Sequence, residues 1–207
     1  MIYEIYGVPA SGKTVAAKVF ELYGVKLAKM NIFSCRYIFT KEFFSFSKLV
    51  FILPSARYPN SVERTVRKAY LLYSYLNAMK ERRKDWGASY LFSGIFEQMG
   101  GYIWYEDDVD ELVIEIKKHI KKYMCGISFV YMKLPDAEKA YKRMMNRKGK
   151  VSLCKLDPKE AIQVIERLNA FFDEISKAAD AKVFQTNVKL AHTQNELREY
   201  VNDIFTS

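Results

Sequence analysis

At 207 residues, half of them apolar and 15% aromatic, the chain can build one sizeable core, which excludes a disordered or low-complexity protein. Its 33 lysines and arginines against 24 acids leave a net charge of +9, which suits polyanionic partners such as nucleotides and equally describes lysine-rich helix surfaces. No apolar run is long enough to span a bilayer, and the first residues carry no secretory pattern. The three cysteines (Cys35, Cys125, Cys154) form neither a CxxC pair nor a disulfide framework, so reduced thiols and a cytoplasmic setting are expected.

Ile2 to Tyr6 is a β-branched and aromatic run broken only by Glu4 and closed by Gly7, which predicts a strand. From Lys13 the spacing turns helical. Val15, Val19 and Leu22 make one stripe with Ala16, Phe20 and Tyr23 beside it, and Gly24 supplies the stop. A short second strand is expected near residues 25–28. Ser61 can cap a helix running to about Asp85, where Val62, Val66, Ala69, Tyr70, Tyr73 and Leu76 share a face. The Arg82-Arg83-Lys84 run in its last turn complements the helix dipole, a better account than a nucleic-acid patch. Ala88 to Phe92 predicts a buried strand. Asp107 to Met124 predicts an amphipathic helix with Val109, Leu112, Val113, Ile116 and Ile120 inward, stopped by Gly126. A strand over Ile127 to Leu134 follows, then a helix capped by Asp136 and reaching about Arg147, with Ala137, Ala140, Tyr141 and Met144 inward. Asp157-Pro158-Lys159-Glu160 starts a helix to about Ala179, since it sets a cap, a proline at the first position and a glutamate at the third. Lys182 to Thr186 predicts the last strand. Thr193-Gln194-Asn195-Glu196 is a capping box for a C-terminal helix with Leu197, Val201 and Ile204 inward. Strands alternating with helices imply an α/β protein whose mainly parallel central sheet is covered on both faces.

Gly7-Val8-Pro9-Ala10-Ser11-Gly12-Lys13-Thr14 fits GxxxxGK[ST] at every fixed position. Glycines let the backbone turn its N–H groups toward phosphate oxygens, and the following helix adds its positive end. On this reading Gly7, Pro9, Ala10, Ser11, Gly12, Lys13 and Thr14 hold the phosphates of ATP. Lys13 reaches the β- and γ-phosphates, and the Thr14 hydroxyl ligates Mg²⁺. The pattern arises by chance in about one chain in a hundred of this length. Here it also follows a predicted strand and opens a predicted helix, the context that the chemistry needs.

This loop identifies a resemblance to the P-loop NTPases. The early position of the motif in a small α/β domain resembles the nucleoside and nucleotide kinase branch, with thymidylate-kinase-like proteins nearest. The passage from Phe129-Val130-Tyr131-Met132-Lys133-Leu134-Pro135-Asp136 into Arg143-Met144-Met145-Asn146-Arg147-Lys148-Gly149-Lys150 is similar to that branch's strand, proline, helix and arginine-bearing lid. The resemblance implies a three-layer α/β/α fold over residues 1–207 as a single domain. It further implies a helical insertion at about 45–86 and a helical lid at about 143–157. Arg143 and Arg147, four residues apart, would share a helix face and neutralise charge on the transferred phosphoryl group. A solvated basic helix end is the plain alternative.

The chain departs from the branch where the third strand ends. An acid is usual there, and here Phe92 stands in its place, followed by Ser93, Gly94, Ile95, Phe96, Glu97 and Gln98. Ser93, or Glu97 from the next turn, would have to serve the metal shell or the acceptor, and Glu97 is the catalytic candidate. Arg57, Arg64 and Arg67 are either acceptor-phosphate ligands, by resemblance, or exposed first-turn arginines. Glu106-Asp107-Asp108 is ordinary helix-start charge. His119 and His192 lack partners at metal-ligand spacing. The leading expectation is an ATP- and Mg²⁺-dependent kinase acting on a small acceptor, a nucleoside or nucleotide. The alternative is a nucleotide-binding regulator or ATPase without such an acceptor. A nucleic-acid-associated role ranks last, because the aromatics are not interleaved in an RNA-binding pattern.

Overall fold

A computed structural model describes residues 2–27, 88–91, 94–100, 126–147, 152–186 and 190–206, with 113, 114 and 117 of one further helix. The elements in chain order are β1 (Ile2–Tyr6), α1 (Lys13–Leu22), β2 (Lys26–Leu27), β3 (Ser89–Leu91), α2 (Ile95–Gly100), β4 (Ile127–Lys133) and α3 (Ala137–Met145). A 3₁₀ turn (Ser152–Lys155), α4 (Pro158–Ala178), β5 (Lys182–Gln185) and α5 (Leu190–Thr206) complete them. The five strands form one sheet in the order β2-β3-β1-β4-β5, and every pairing is parallel. The expected insertion at 45–86, with its helix from Ser61, lies outside the described residues.

β1 is central, and all five of its residues are buried, because helices cover both faces of the sheet. On one face Tyr3 and Ile5 meet Ala16, Val19 and Phe20 of α1 and Leu197 and Val201 of α5. On the other, Ile2 and Tyr6 join Phe96 of α2, Phe129 and Tyr131 of β4 and Phe171 and Phe172 of α4. Tyr6 stacks on Tyr131 at 5.1 Å and meets Phe96 edge-on at 4.9 Å. Fully burying each such ring contributes about 1.5–3 kcal/mol, so this cluster fixes where α2 and α4 sit. Burial raises the Tyr6 and Tyr131 hydroxyls far above the usual tyrosine range, so both stay neutral.

Local signals account for most helix starts. The Asp136 carboxylate accepts the Lys139 N–H at 2.8 Å, and the Asp157 carboxylate accepts the Lys159 N–H at 2.9 Å, with Pro158 at the first helical position. Three expectations need correction. Leu22 is 71% exposed, because the buried face of α1 runs through Ala16, Ala17, Val19 and Phe20. Thr193 does not cap the C-terminal helix, which already begins at Leu190; its buried hydroxyl donates instead to the Gln185 carbonyl at 3.0 Å. α3 ends at Met145, so Arg147 leaves in the following turn and does not share a helical face with Arg143.

Candidate nucleotide-phosphate site

The loop between β1 and α1 is shaped by three positive φ angles in six residues: Gly7 (147°), Ala10 (66°) and Gly12 (102°). Gly7 tolerates no side chain. A Cβ there would overlap the Met132 carbonyl oxygen on β4 and crowd the Ser11 hydroxyl. The loop closes with Ser11 N–H donating to the Val8 carbonyl at 3.1 Å. Gly12 is the N-cap of α1 and supplies no side-chain acceptor, and the first turn carries no acid. The first N–H groups of that helix have no intrahelical acceptor and present the positive end of its dipole. Ser11 is fully buried, and its hydroxyl has no partner among the described residues. An uncapped helix start, a lysine and an unpartnered buried hydroxyl on one tight loop form a donor set that fits a phosphate group.

Lys13 folds back over its own loop. Its ammonium donates to the Gly7 carbonyl at 2.6 Å and the Val8 carbonyl at 3.2 Å, and it pairs with Glu97 Oε1 at 2.5 Å. Glu97 stands on α2, next to Phe96. The Phe96 ring is buried against Tyr6 and Phe129, which turns the neighbouring Glu97 toward the loop. The Phe96 N–H donates at 2.8 Å to Glu4 Oε1, a carboxylate fully buried on β1. Sequence reasoning passed over Glu4 as an interruption in a strand. Its signal was available, since a charge in the central strand of a sheet covered on both faces must be buried and partnered.

Beside this pair lies a cavity of about 360 Å³. It is lined by Gly7, Pro9, Ala10 and Lys13 of the loop, by the charged side chains of Glu97 and Arg147, and by Gly100, Leu153, Leu168 and Phe172. Thr14 is exposed at the first turn of α1. Arg143 turns elsewhere: its Nη1 donates at 3.2 Å to the Thr186 carbonyl, just after β5. The structure therefore brings Lys13, Glu97 and Arg147 to one cavity, whereas Arg143 is not among its lining residues and is bonded instead to Thr186, whose methyl group lies near Gly12 of the loop. Phe92, Ser93, Arg57, Arg64, Arg67, the Glu106-Asp107-Asp108 run and the Lys148-Gly149-Lys150 stretch lie outside the described residues. Among the described residues, no helix is long and apolar enough to cross a membrane.

Solved structures of a deoxyadenosine kinase from M. mycoides are similar to the whole chain. With its products dCMP and a flexible dCDP bound, that enzyme matches at a TM-score of 0.58 and 15% identity, covering 98% of this chain and 100% of the other. The chain shares its fold with this kinase. The same kinase with bound dATP matches at 0.58 and 15% identity over 98% and 99% of the two chains. With bound dCTP it matches at 0.51 and 14% identity over 98% and 100%. No family model and no curated protein matches the sequence. The expected α/β architecture with a parallel central sheet holds, with the lysine-bearing loop between β1 and α1.

Proposed function

We propose that the protein is an ATP-dependent phosphotransferase whose acceptor is a nucleoside or nucleotide. The observation that carries this reading is the cavity beside Lys13, whose lining combines the charged groups of Lys13, Glu97 and Arg147 with the apolar side chains of Leu153, Leu168 and Phe172. Its volume falls within the range of small-molecule sites, and its apolar side chains suit a flat base while its charged groups suit a sugar and phosphate. The cavity reaches beyond the loop to Leu153, Leu168 and Phe172, which favours an acceptor over a regulator or ATPase that holds only the donor. The fold shared with deoxyadenosine kinases supports the same reading.

In this scheme the loop and Lys13 bind the donor phosphates, and Arg147 approaches from the cavity rim to offset charge on the transferred group. Glu97 is the acid available to orient the acceptor hydroxyl. The closing stretch is the lid at about 143–157, with Arg143 anchoring it to the segment after β5. Mg²⁺ would be held by the Thr14 hydroxyl together with phosphate and water oxygens, and it would screen the phosphate charge.

Neutralising Arg147 as Arg147→Gln is expected to lower kcat by roughly 10² to 10³ with little change in the KM for ATP, because the group acts on charge that develops late. Arg143→Gln is expected to have the smaller effect on kcat of the two, since its guanidinium is committed to the Thr186 carbonyl. Steady-state kinetics on both variants checks this, and a kcat for Arg147→Gln within about threefold of wild type would reduce Arg147 to surface charge. Thr14→Val should raise the Mg²⁺ concentration needed for turnover while leaving the fold unchanged, as Thr14 is exposed. An unaltered Mg²⁺ dependence removes Thr14 from the metal assignment. The acceptor class is tested by thermal shift in the presence of ADP across a panel of nucleosides and nucleotides. Stabilisation by a subset of the panel is expected, and a flat response counts against a nucleoside or nucleotide acceptor.

A further inference from the structure

We propose that Glu97 is an internal competitor of nucleotide phosphate for Lys13, and that the buried Glu4 is the positioning residue that holds it there. The inference rests on the reading of the loop as a nucleotide-phosphate site and adds a device that tunes it. A lysine ammonium has three N–H donors. The Gly7 carbonyl, the Val8 carbonyl and Glu97 Oε1 take all three. A phosphate oxygen gains Lys13 only by displacing one of them. Two are backbone atoms of the loop, whose geometry is set by the close approach of Gly7 to Met132. The third is a side chain that can rotate away. Glu97 also carries negative charge at the cavity wall, where it repels an arriving anion until it moves.

Two contacts of Phe96, the residue before Glu97, tie α2 to β1 and β4 and bring Glu97 to Lys13. The Phe96 ring is locked among Tyr6 and Phe129, and the Phe96 N–H is bound by Glu4 Oε1. The Glu4 carboxyl lies directly against Gly94, where any Cβ would overlap it. One strand thus fixes both members of the pair: β1 holds the α2 turn through Glu4 and delivers the phosphate loop at Gly7. An ion pair with a purely structural role would behave differently, since its loss would lower stability without improving phosphate binding.

The test is calorimetric titration of ADP, without Mg²⁺, into the full chain as wild type, Glu97→Gln, Glu4→Leu, Glu4→Gln and the Glu97→Gln/Glu4→Leu double variant. Glu97→Gln is expected to tighten ADP binding by about fivefold or more, the scale set by losing a half-screened ion pair and its repulsion of phosphate. Glu4→Leu removes the acceptor for the Phe96 N–H and should tighten binding in the same direction. Glu4→Gln keeps an oxygen for that N–H and should stay within about twofold of wild type. The double variant should bind no tighter than Glu97→Gln alone, because both act through one contact. Should Glu4→Leu fail to fold, Gly94→Ala displaces the same carboxyl from the other side and takes its place. Unchanged or weaker ADP binding by Glu97→Gln overturns the proposal. Tightening by Glu97→Gln with none from Glu4→Leu or Gly94→Ala overturns the role of Glu4. ADP binding by neither wild type nor any variant overturns the nucleotide reading and the proposal together.

Discussion

Lys13→Ala is expected to abolish measurable transfer and to weaken ATP binding by roughly two orders of magnitude or more. Lys13 supplies the mobile cation of the loop, and no other Lys or Arg lies on the segment from Gly7 to Thr14. The fold should survive. The Lys13–Glu97 pair is only 18% exposed on each side and Lys13 also donates to two loop carbonyls, so its loss costs roughly 1–3 kcal/mol of stability. Titration of ATP and a thermal melt on the same sample separate the two effects. Normal ATP affinity in a folded Lys13→Ala protein would remove the loop from the donor site.

Gly7→Ala is expected to damage both the fold and the site. The residue sits at a φ of 147°, and an added Cβ would overlap the Met132 carbonyl oxygen of β4 and crowd Ser11 Oγ. These are a backbone atom and a fully buried side chain, so neither can step aside without moving the sheet or the loop. A cost above about 2 kcal/mol follows, which lowers the Tm of a chain this size by roughly 5 °C or more. Because the loop must shift to accommodate the methyl group, ATP affinity falls with it. Gly24→Ala is the matched control. It also has a positive φ, at 80°, but nothing lies within 4 Å of a Cβ there, so it should cost stability through backbone strain alone and leave nucleotide binding intact.

Much of this architecture was legible because its signals are local. The strand of Ile2–Tyr6, the glycine-bounded loop and the helix from Lys13 follow from neighbouring residues alone. So do the Asp136 and Asp157 caps, each of which binds an N–H only two or three residues away. What was misread depends on partners distant in sequence. Thr193 has the spacing of a cap, but the helix already begins at Leu190, and the threonine hydroxyl donates to the Gln185 carbonyl. Arg143 and Arg147 have the spacing of a shared face, but α3 stops at Met145, which sends one to Thr186 and the other to the cavity. Glu97 was singled out from its place after the third strand, yet its partner could not be named. The contact with Lys13 exists because Phe96 is drawn into an aromatic cluster built from β1 and β4. The same holds for Glu4, whose bond to the Phe96 N–H spans 92 residues of sequence.

The central claim is that a phosphoryl group passes from ATP to a small acceptor in the cavity beside Lys13. Incubation with ATP labelled at the γ-phosphate, with and without individual nucleosides and nucleotides, tests it most directly. The account predicts label in a phosphorylated acceptor, formed only when that acceptor is present and lost in Lys13→Ala. Label released solely as inorganic phosphate, at a rate indifferent to every acceptor, would contradict it.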